Sequence, residues 1–433
     1  MRILIRSSDP RLARALQDRF AEADQPAMAF AGPTGPAPRG PPPEDVTIVI
    51  EADVATAMAR AAELAPDPAR LALAVAALTA AGPILAAFDG FDAIDVNAPP
   101  AALRRRIAAL WRVGLARDEL AARRATMSAL GFPAAPRAPE ADAPPRLLFV
   151  GRPDPYFLAL ERAAGAAGAS ILGALTTFAA FDHLHDERFD AVIVNGAVDP
   201  GPALSLCGAL RRNTDLATLP AMVACTPDAE AATVRDAAER GADVIDRGDG
   251  PPQAALSWLI REIKAERRRR QIDADLGACL ATVAEPRSRL ANPLFIERHV
   301  ETLAARHHAS GRALSVAAIR LSPAPGASVP HPAAWTRTFA DAAGVAARLI
   351  RTADTGAVWD DDTLILALPA LDERDARAAL DRIVAVGECT AFASEPAGPL
   401  EFNAHAATLA PGESGAGLLA RALGGLSRWA AHA

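Results

Sequence analysis

The sequence predicts a multidomain α/β and α+β chain. Two flavodoxin-like domains, each a parallel sheet wrapped by helices, precede a mixed domain with an antiparallel core. Three observations lead there. A chain of 433 residues is too long for one core at roughly 100–200 residues per domain. Up to about residue 270, short apolar strands without polar alternation, such as Val46 to Ile50, alternate with helices, which marks a sheet buried on both faces. From about residue 285, helices alternate with hairpin strands instead, the pattern of an α+β domain.

The elements follow in order. A strand over 2–6 and an amphipathic helix over 10–22 lead into a Gly/Pro-rich stretch from Gly32 to Pro43, then the Val46–Ile50 strand. A helix over 100–125 closes the first domain, 1–125, and a Pro/Ala-rich linker occupies 126–145. The second domain, 146–270, reads as strands 146–150, 170–173, 189–195, 219–225 and 242–245, with helices 154–167, 201–212, 228–240 and 252–270. The last of these carries Arg267-Arg268-Arg269-Arg270, read as a solvated connecting helix rather than a nucleic-acid patch. The third domain, 271–433, has helices 293–309, 332–351, 371–386 and 414–431, strands 313–321 and 399–408, and two strands flanking Trp359-Asp360-Asp361-Asp362.

Composition narrows the function. A net charge of −7 argues against bulk binding to DNA or to anionic membrane. Of 45 basic side chains only Lys264 is a lysine, so any single arginine is weak evidence of a role. Cys207, Cys225, Cys279 and Cys389 lack zinc spacing and read as buried, reduced thiols. Residues 1–6 read as a strand rather than a signal peptide. No apolar run reaches the roughly 20 residues of a membrane span. A soluble cytoplasmic protein without membrane insertion is expected.

The first two domains resemble response-regulator receiver domains. In that family an acidic pair ending the first strand binds magnesium. The third strand ends in the phosphorylated aspartate and the fifth in a lysine, because a carboxylate-held metal must neutralise the transferring phosphoryl group. Neither domain keeps this set. In the first, the acidic pair falls on Ser7-Ser8 and the acceptor region on Glu51 and Asp53. Glu51 can stand in by charge for a phosphoaspartate, or Asp53 can be an acceptor in shifted register. The plainer alternative is an ordinary strand-end acid. In the second, the pair falls on Gly151-Arg152 and the acceptor on Asn195, an amide that takes no phosphoryl group. The resemblance implies a phosphorylation-dead adaptor that forms a homodimer.

The stretch 285–433 resembles a GGDEF-type diguanylate cyclase domain. Of that family's opening motif, aligned with Glu285 to Pro293, only Glu285, Leu290 and Asn292 survive. The two aspartates of the metal-binding strand fall on Arg320 and Ser322, and a guanidinium there repels the cation that catalysis requires. The signature hairpin falls on Asp360-Asp361-Asp362-Thr363-Leu364, with aspartates for the glycines and Thr363 for the catalytic acid. Consecutive hairpin carboxylates alternate faces, so these three read as a solvated turn and no metal is expected. One element stands intact. The family's inhibitory R-x-x-D, five residues ahead of the signature, falls on Arg351 and Asp354, with a further arginine of that site at Arg382. An arginine suits the O6/N7 edge of guanine, and a carboxylate suits its N–H edge.

The resemblance therefore implies a receptor for cyclic di-GMP that is not an enzyme. As an adaptor it would deliver cell-cycle regulators to a protease and be recruited to a cell pole. Two other readings stay open: an active cyclase making cyclic di-GMP from GTP with an eccentric site, and a scaffold that binds no nucleotide.

Overall fold

The computed structural model describes residues 3–22, 27–31, 46–64, 71–75, 92–133, 143–286, 288–324, 331–390, 392 and 400–430. The chain divides into two compact units. An N-terminal unit holds the described residues up to Val113 and from 143 to Arg270, and a C-terminal unit holds 114–133 and those from Gln271 onward.

The N-terminal unit contains two parallel sheets. The first joins β1 (Ile3–Ser7), β2 (Ala27–Ala31), β3 (Val46–Val49), β4 (Leu71–Val75) and β5 (Asp92–Asp95) in the order β2-β1-β3-β4-β5. Its helices are α1 (Pro10–Glu22), α2 (Val54–Leu64) and the start of α3 (Pro100–Ala129). The second sheet joins β6 (Arg146–Val150), β7 (Ser170–Ala174), β8 (Ala191–Asn195), β9 (Ala221–Ala224) and β10 (Val244–Asp246) in the order β7-β6-β8-β9-β10. Between and after these strands run α4 (Pro155–Ala166), α5 (Thr177–Asp186), α6 (Pro200–Arg212), α7 (Ala231–Glu239) and α8 (Gln253–Val283). Both sheets have the flavodoxin-like order, which puts a switch point at the carboxyl ends of the first and third strands. Continuous burial of Leu147 to Val150 and Ala191 to Asn195 reflects helices on both faces.

The C-terminal unit is built on the antiparallel sheet β12-β13-β11-β14, formed by β11 (Leu314–Pro323), β12 (Thr355–Val358), β13 (Thr363–Pro369) and β14 (Leu400–Thr408). Its helices α9 (Pro293–Ser310), α10 (Pro332–Leu349), α11 (Glu373–Glu388) and α12 (Gly415–Ala430) complete the α+β layer. Ile319, Leu364, Leu366, Phe339, Leu380 and Phe402 close one core. Each such side chain contributes ~1.5–3 kcal/mol of burial.

Several boundaries differ from the sequence reading. The segment expected as linker, 126–145, begins inside α3, because Ala122, Thr126 and Met127 are buried and keep the helix going to Ala129. The helix expected to stop at 270 continues to Val283, since Ile272, Leu276, Cys279 and Val283 extend its buried face. Strands β2, β4 and β5 and helices α2 and α5 were not anticipated. β2 and β4 are alanine-rich, and β5 is only Asp-Ala-Ile-Asp, all poor in the β-branched signal. Cys389 departs from its expected burial, lying exposed at the C-cap of α11. Among the described residues no helix is long and apolar enough to cross a membrane.

Candidate functional site

Helix α10 ends at Leu349, two residues short of the expected 351, so the segment 351–354 is a turn rather than a helix tail. The turn closes on itself. Asp354 N donates to Arg351 O at 2.9 Å, and Arg351 N donates to Asp354 Oδ2 at 2.8 Å. The Arg351 side chain folds over the same carboxylate, Nε reaching Oδ1 and Oδ2 at 3.0 and 3.1 Å and NH2 reaching Oδ1 at 2.6 Å. NH2 also donates to Pro369 O at 2.8 Å. Asp354 is buried, its side chain 3% exposed, while the guanidinium side of the pair is 34% exposed. Burial pushes the Asp354 carboxyl up against the opposing pull of Arg351. Arg382, exposed on α11, donates to Leu349 O at 3.0 Å, which brings the third expected residue to the same end of α10. Two guanidiniums, Arg351 and Arg382, are thus at the surface, with the Asp354 carboxylate buried beneath Arg351. With Arg351 folded over it, the Asp354 carboxylate opens to another donor only if the Arg351 side chain swings outward.

The opposite end of the sheet carries the altered hairpin. The β11–β13 register sets Arg320 directly opposite Thr363, and Ser322 lies opposite Glu401 on β14. Arg320 Nε sits 3.4 Å from Asp362 Oδ1, and the Thr363 hydroxyl donates to that same oxygen. Asp362 N donates to Asp360 Oδ1 at 3.0 Å, and Trp335 Nε1 donates to Asp361 O at 3.0 Å. Burial and the adjacent Asp360 push the Asp362 carboxyl up, opposed by Thr363 and Arg320. Among the described residues no three His, Cys, Asp or Glu side chains converge as metal ligands.

The opening motif explains its own survivors. Asn292 caps α9, its Oδ1 accepting from Phe295 N at 2.9 Å while Nδ2 donates to Val283 O at 2.9 Å. Glu285 accepts from Ser288 N and Oγ, both at 3.0 Å. Arg289 between them has a left-handed backbone, at φ 60°, a conformation that ordinarily favours glycine. Ala291 N then donates to Gly356 O and Ala291 O accepts from Val358 N, tying the motif to β12 just beyond Asp354.

At the two switch points the polar side chains close on one another. Glu51 is buried, accepts from Ser8 N at 2.9 Å and from the Ser8 hydroxyl, and faces Arg60 NH1 at 3.1 Å. Asp53 is exposed and accepts from Thr56 N and Oγ1 at 2.8 and 2.6 Å, at the start of α2. Asn195 donates to Arg152 O and to Asp154 Oδ2 at 3.1 and 2.9 Å. Gly151 beside it has φ 133°, and a Cβ there would meet Asn195 Cβ at 2.8 Å. All four arginines of the 267–270 run meet acids: Arg267 pairs with Asp190, Arg268 with Asp92, and Arg269 and Arg270 with Glu266.

Sequence reasoning missed a cavity. Within the N-terminal unit a cavity of about 970 Å³ lies between the ends of β5 and β10 and the starts of α3 and α8. Arg106 on its wall donates to Asp92 and Glu262 at 2.8 and 2.6 Å. Burial pushes Glu262 up to about 7 and Asp95 up to about 6. The only sequence signal was an acid at a strand end, on a strand too short and acidic to be recognised.

No protein-family model and no curated protein matches the chain. Solved structures do. The GGDEF domain of DgcB from Caulobacter crescentus, solved with c-di-GMP, is 15% identical over 35% of this chain and 88% of that one, with a TM-score of 0.31. The GGDEF domain of FimX from Pseudomonas aeruginosa is 16% identical over 35% of this chain and 95% of that one, TM-score 0.33. A response regulator from Chloroflexus aurantiacus J-10-fl is 21% identical over 28% and 98%, TM-score 0.26. Likenesses this distant carry nothing about ligand or activity.

Proposed function

We propose that this chain is a catalytically inactive receptor for cyclic di-GMP, binding it through Arg351, Asp354 and Arg382. The observation that carries the reading is the asymmetry between the two ends of one sheet. At one end two guanidiniums, one on the turn and one on α11, stand at the surface with a carboxylate folded beneath the first, the donor and acceptor set that guanine edges require once Arg351 swings off Asp354. At the other end Arg320 and Ser322 stand at the metal-ligand positions of the resembled family and Thr363 at its catalytic acid, and Arg320 lies beside the remaining acid. A cation that neutralises triphosphate charge is disfavoured beside a fixed guanidinium.

The order of two receiver-like domains and an altered GGDEF-like domain resembles PopA, the degenerate paralogue of the cyclase PleD. Extended to this chain, that resemblance makes it a signalling adaptor, recruited to a cell pole, in the delivery of CtrA to the ClpXP protease. A homodimer fits the exposed apolar edge of the second sheet, where Leu158, Leu172, Leu175 and Phe178 are 37–78% exposed.

Calorimetric titration tests the receptor reading. Cyclic di-GMP binds the intact chain and fails to bind Arg351→Ala, whose circular dichroism is unchanged. Equal affinity in the two proteins refutes it. Incubation with GTP and magnesium yields no cyclic di-GMP, and product formation would favour the active-cyclase alternative. The scaffold alternative has one support, the closed Arg351–Asp354 pair, and it stands if the intact chain shows no binding heat.

A further inference from the structure

Behind the Arg351–Asp354 turn lies a fully buried polar cluster that the binding reading does not use. Glu119, Arg123 and Thr126 line one face of α3 at i, i+4 and i+7, and their exposures are 1, 3 and 0%. His299 of α9 and Thr355 at the start of β12 complete the cluster, at 0 and 1%. All five belong to the C-terminal unit.

Arg123 divides its donors among the backbone of the turn and its neighbours. NH2 reaches Asp354 O at 2.8 Å and Thr352 O at 3.5 Å, NH1 reaches Leu276 O at 3.2 Å, and Nε reaches Thr355 Oγ1 at 3.2 Å and Glu119 Oε1 at 2.7 Å. Glu119 Oε1 also accepts from Thr355 Oγ1 at 2.5 Å and meets His299 Nε2 at 3.0 Å, while Oε2 is buried with no hydrogen-bond partner among the described residues. His299 is fixed in turn by Thr126 Oγ1 at 3.1 Å from Nδ1 and by stacking on Phe295. Burial opposes ionisation of Glu119, but the His299 ring and the Arg123 guanidinium hold its carboxyl well below the ordinary range. A buried ionic cluster of this kind contributes little net stability, because desolvation offsets the Coulomb gain. Its value lies in geometry. A guanidinium with a fixed fork of donors pins two carbonyl acceptors, those of Thr352 and Asp354, of the turn that presents Arg351 and Asp354.

We infer that Arg123, oriented by Glu119 and His299, is a positioning residue for the Arg351/Asp354 site, holding the backbone of the turn from behind so that only the Arg351 side chain has to move to admit a ligand. This rests on the receptor reading for its ligand but not for its geometry, and the two are tested separately. Arg123→Lys keeps the charge and loses the fork. It is expected to weaken cyclic di-GMP at least tenfold by calorimetry, with amides 352–355 exchanging hydrogen at least tenfold faster in the ligand-free chain. Thr355→Val, nearly equal in volume, shifts both readouts the same way, and Thr355→Ser restores them. This pair carries the test if Arg123→Lys does not fold. Unchanged affinity with unchanged exchange overturns the inference. If the unsubstituted chain binds no dinucleotide, the receptor reading falls alone. The exchange measurement then decides positioning by itself, wild-type rates in Arg123→Lys and Thr355→Val refuting it.

Discussion

Lowering the pH from 7 to 5 is expected to stabilise the N-terminal unit and destabilise the C-terminal one. In the N-terminal unit burial pushes Glu262 up from 4.5 to about 7 and Asp95 up from 3.8 to about 6. An acid whose folded pKa is raised supports the fold fully below its unfolded value, and that support is lost as pH rises through the folded value. The Glu262 contribution therefore fades across pH 4.5 to 7 and that of Asp95 across 3.8 to 6. In the C-terminal unit the sign reverses. Burial, aided by Arg312, pushes His307 down from 6.5 to about 4. Its neutral ring supports the fold above 6.5, and the support is lost as pH falls through 4. At about 1.4 kcal/mol per pKa unit, the ceiling for Glu262 or His307 is roughly 3 kcal/mol, of which the step from pH 7 to 5 captures on the order of 2 kcal/mol, with opposite signs. Urea titration of the full chain at the two pH values, with each unit followed by mass-resolved pulse proteolysis, reads both changes together. Glu262→Gln removes most of the N-terminal gain, and His307→Asn removes the C-terminal loss. Movement of both units in one direction, or a Glu262→Gln chain that keeps the wild-type pH dependence, refutes the reasoning.

Three further outcomes follow from single residues. Asn292→Ala deletes the α9 cap and the tie to Val283 O, and should lower C-terminal stability by ~1–2 kcal/mol in the same urea assay. Arg289→Gly relieves a left-handed arginine at φ 60°. It should raise stability by between about 0 and 1 kcal/mol, strain relief exceeding the added unfolded-state entropy. Phe178→Glu places a charge on a 78% exposed ring at the edge of the second sheet and should convert a dimer to monomer by light scattering without changing the thermal midpoint by more than a few degrees.

The sequence by itself determined the alternation of strands and helices, and with it the fold class. Period and length are local properties, and they were plain wherever β-branched residues dominated, as in residues 191–195 (Ala-Val-Ile-Val-Asn). They were faint where alanine or aspartate filled a strand, so β2, β4 and β5 emerged only once neighbouring strands supplied their hydrogen bonds. The candidate site was legible because Arg351, Asp354 and the hairpin are close in sequence and their spacing is set by one turn and one strand. What only the tertiary structure decided is long-range. Glu119 and Arg123 sit more than two hundred residues before Thr355, and no local pattern says that a helix face will stand behind that turn. The cavity wall likewise joins Asp95 to Glu262 through two sheets and two helices. Local sequence sets element type by steric and periodic preference. The environment of a buried charge is set by whichever distant side chains the packing brings to it.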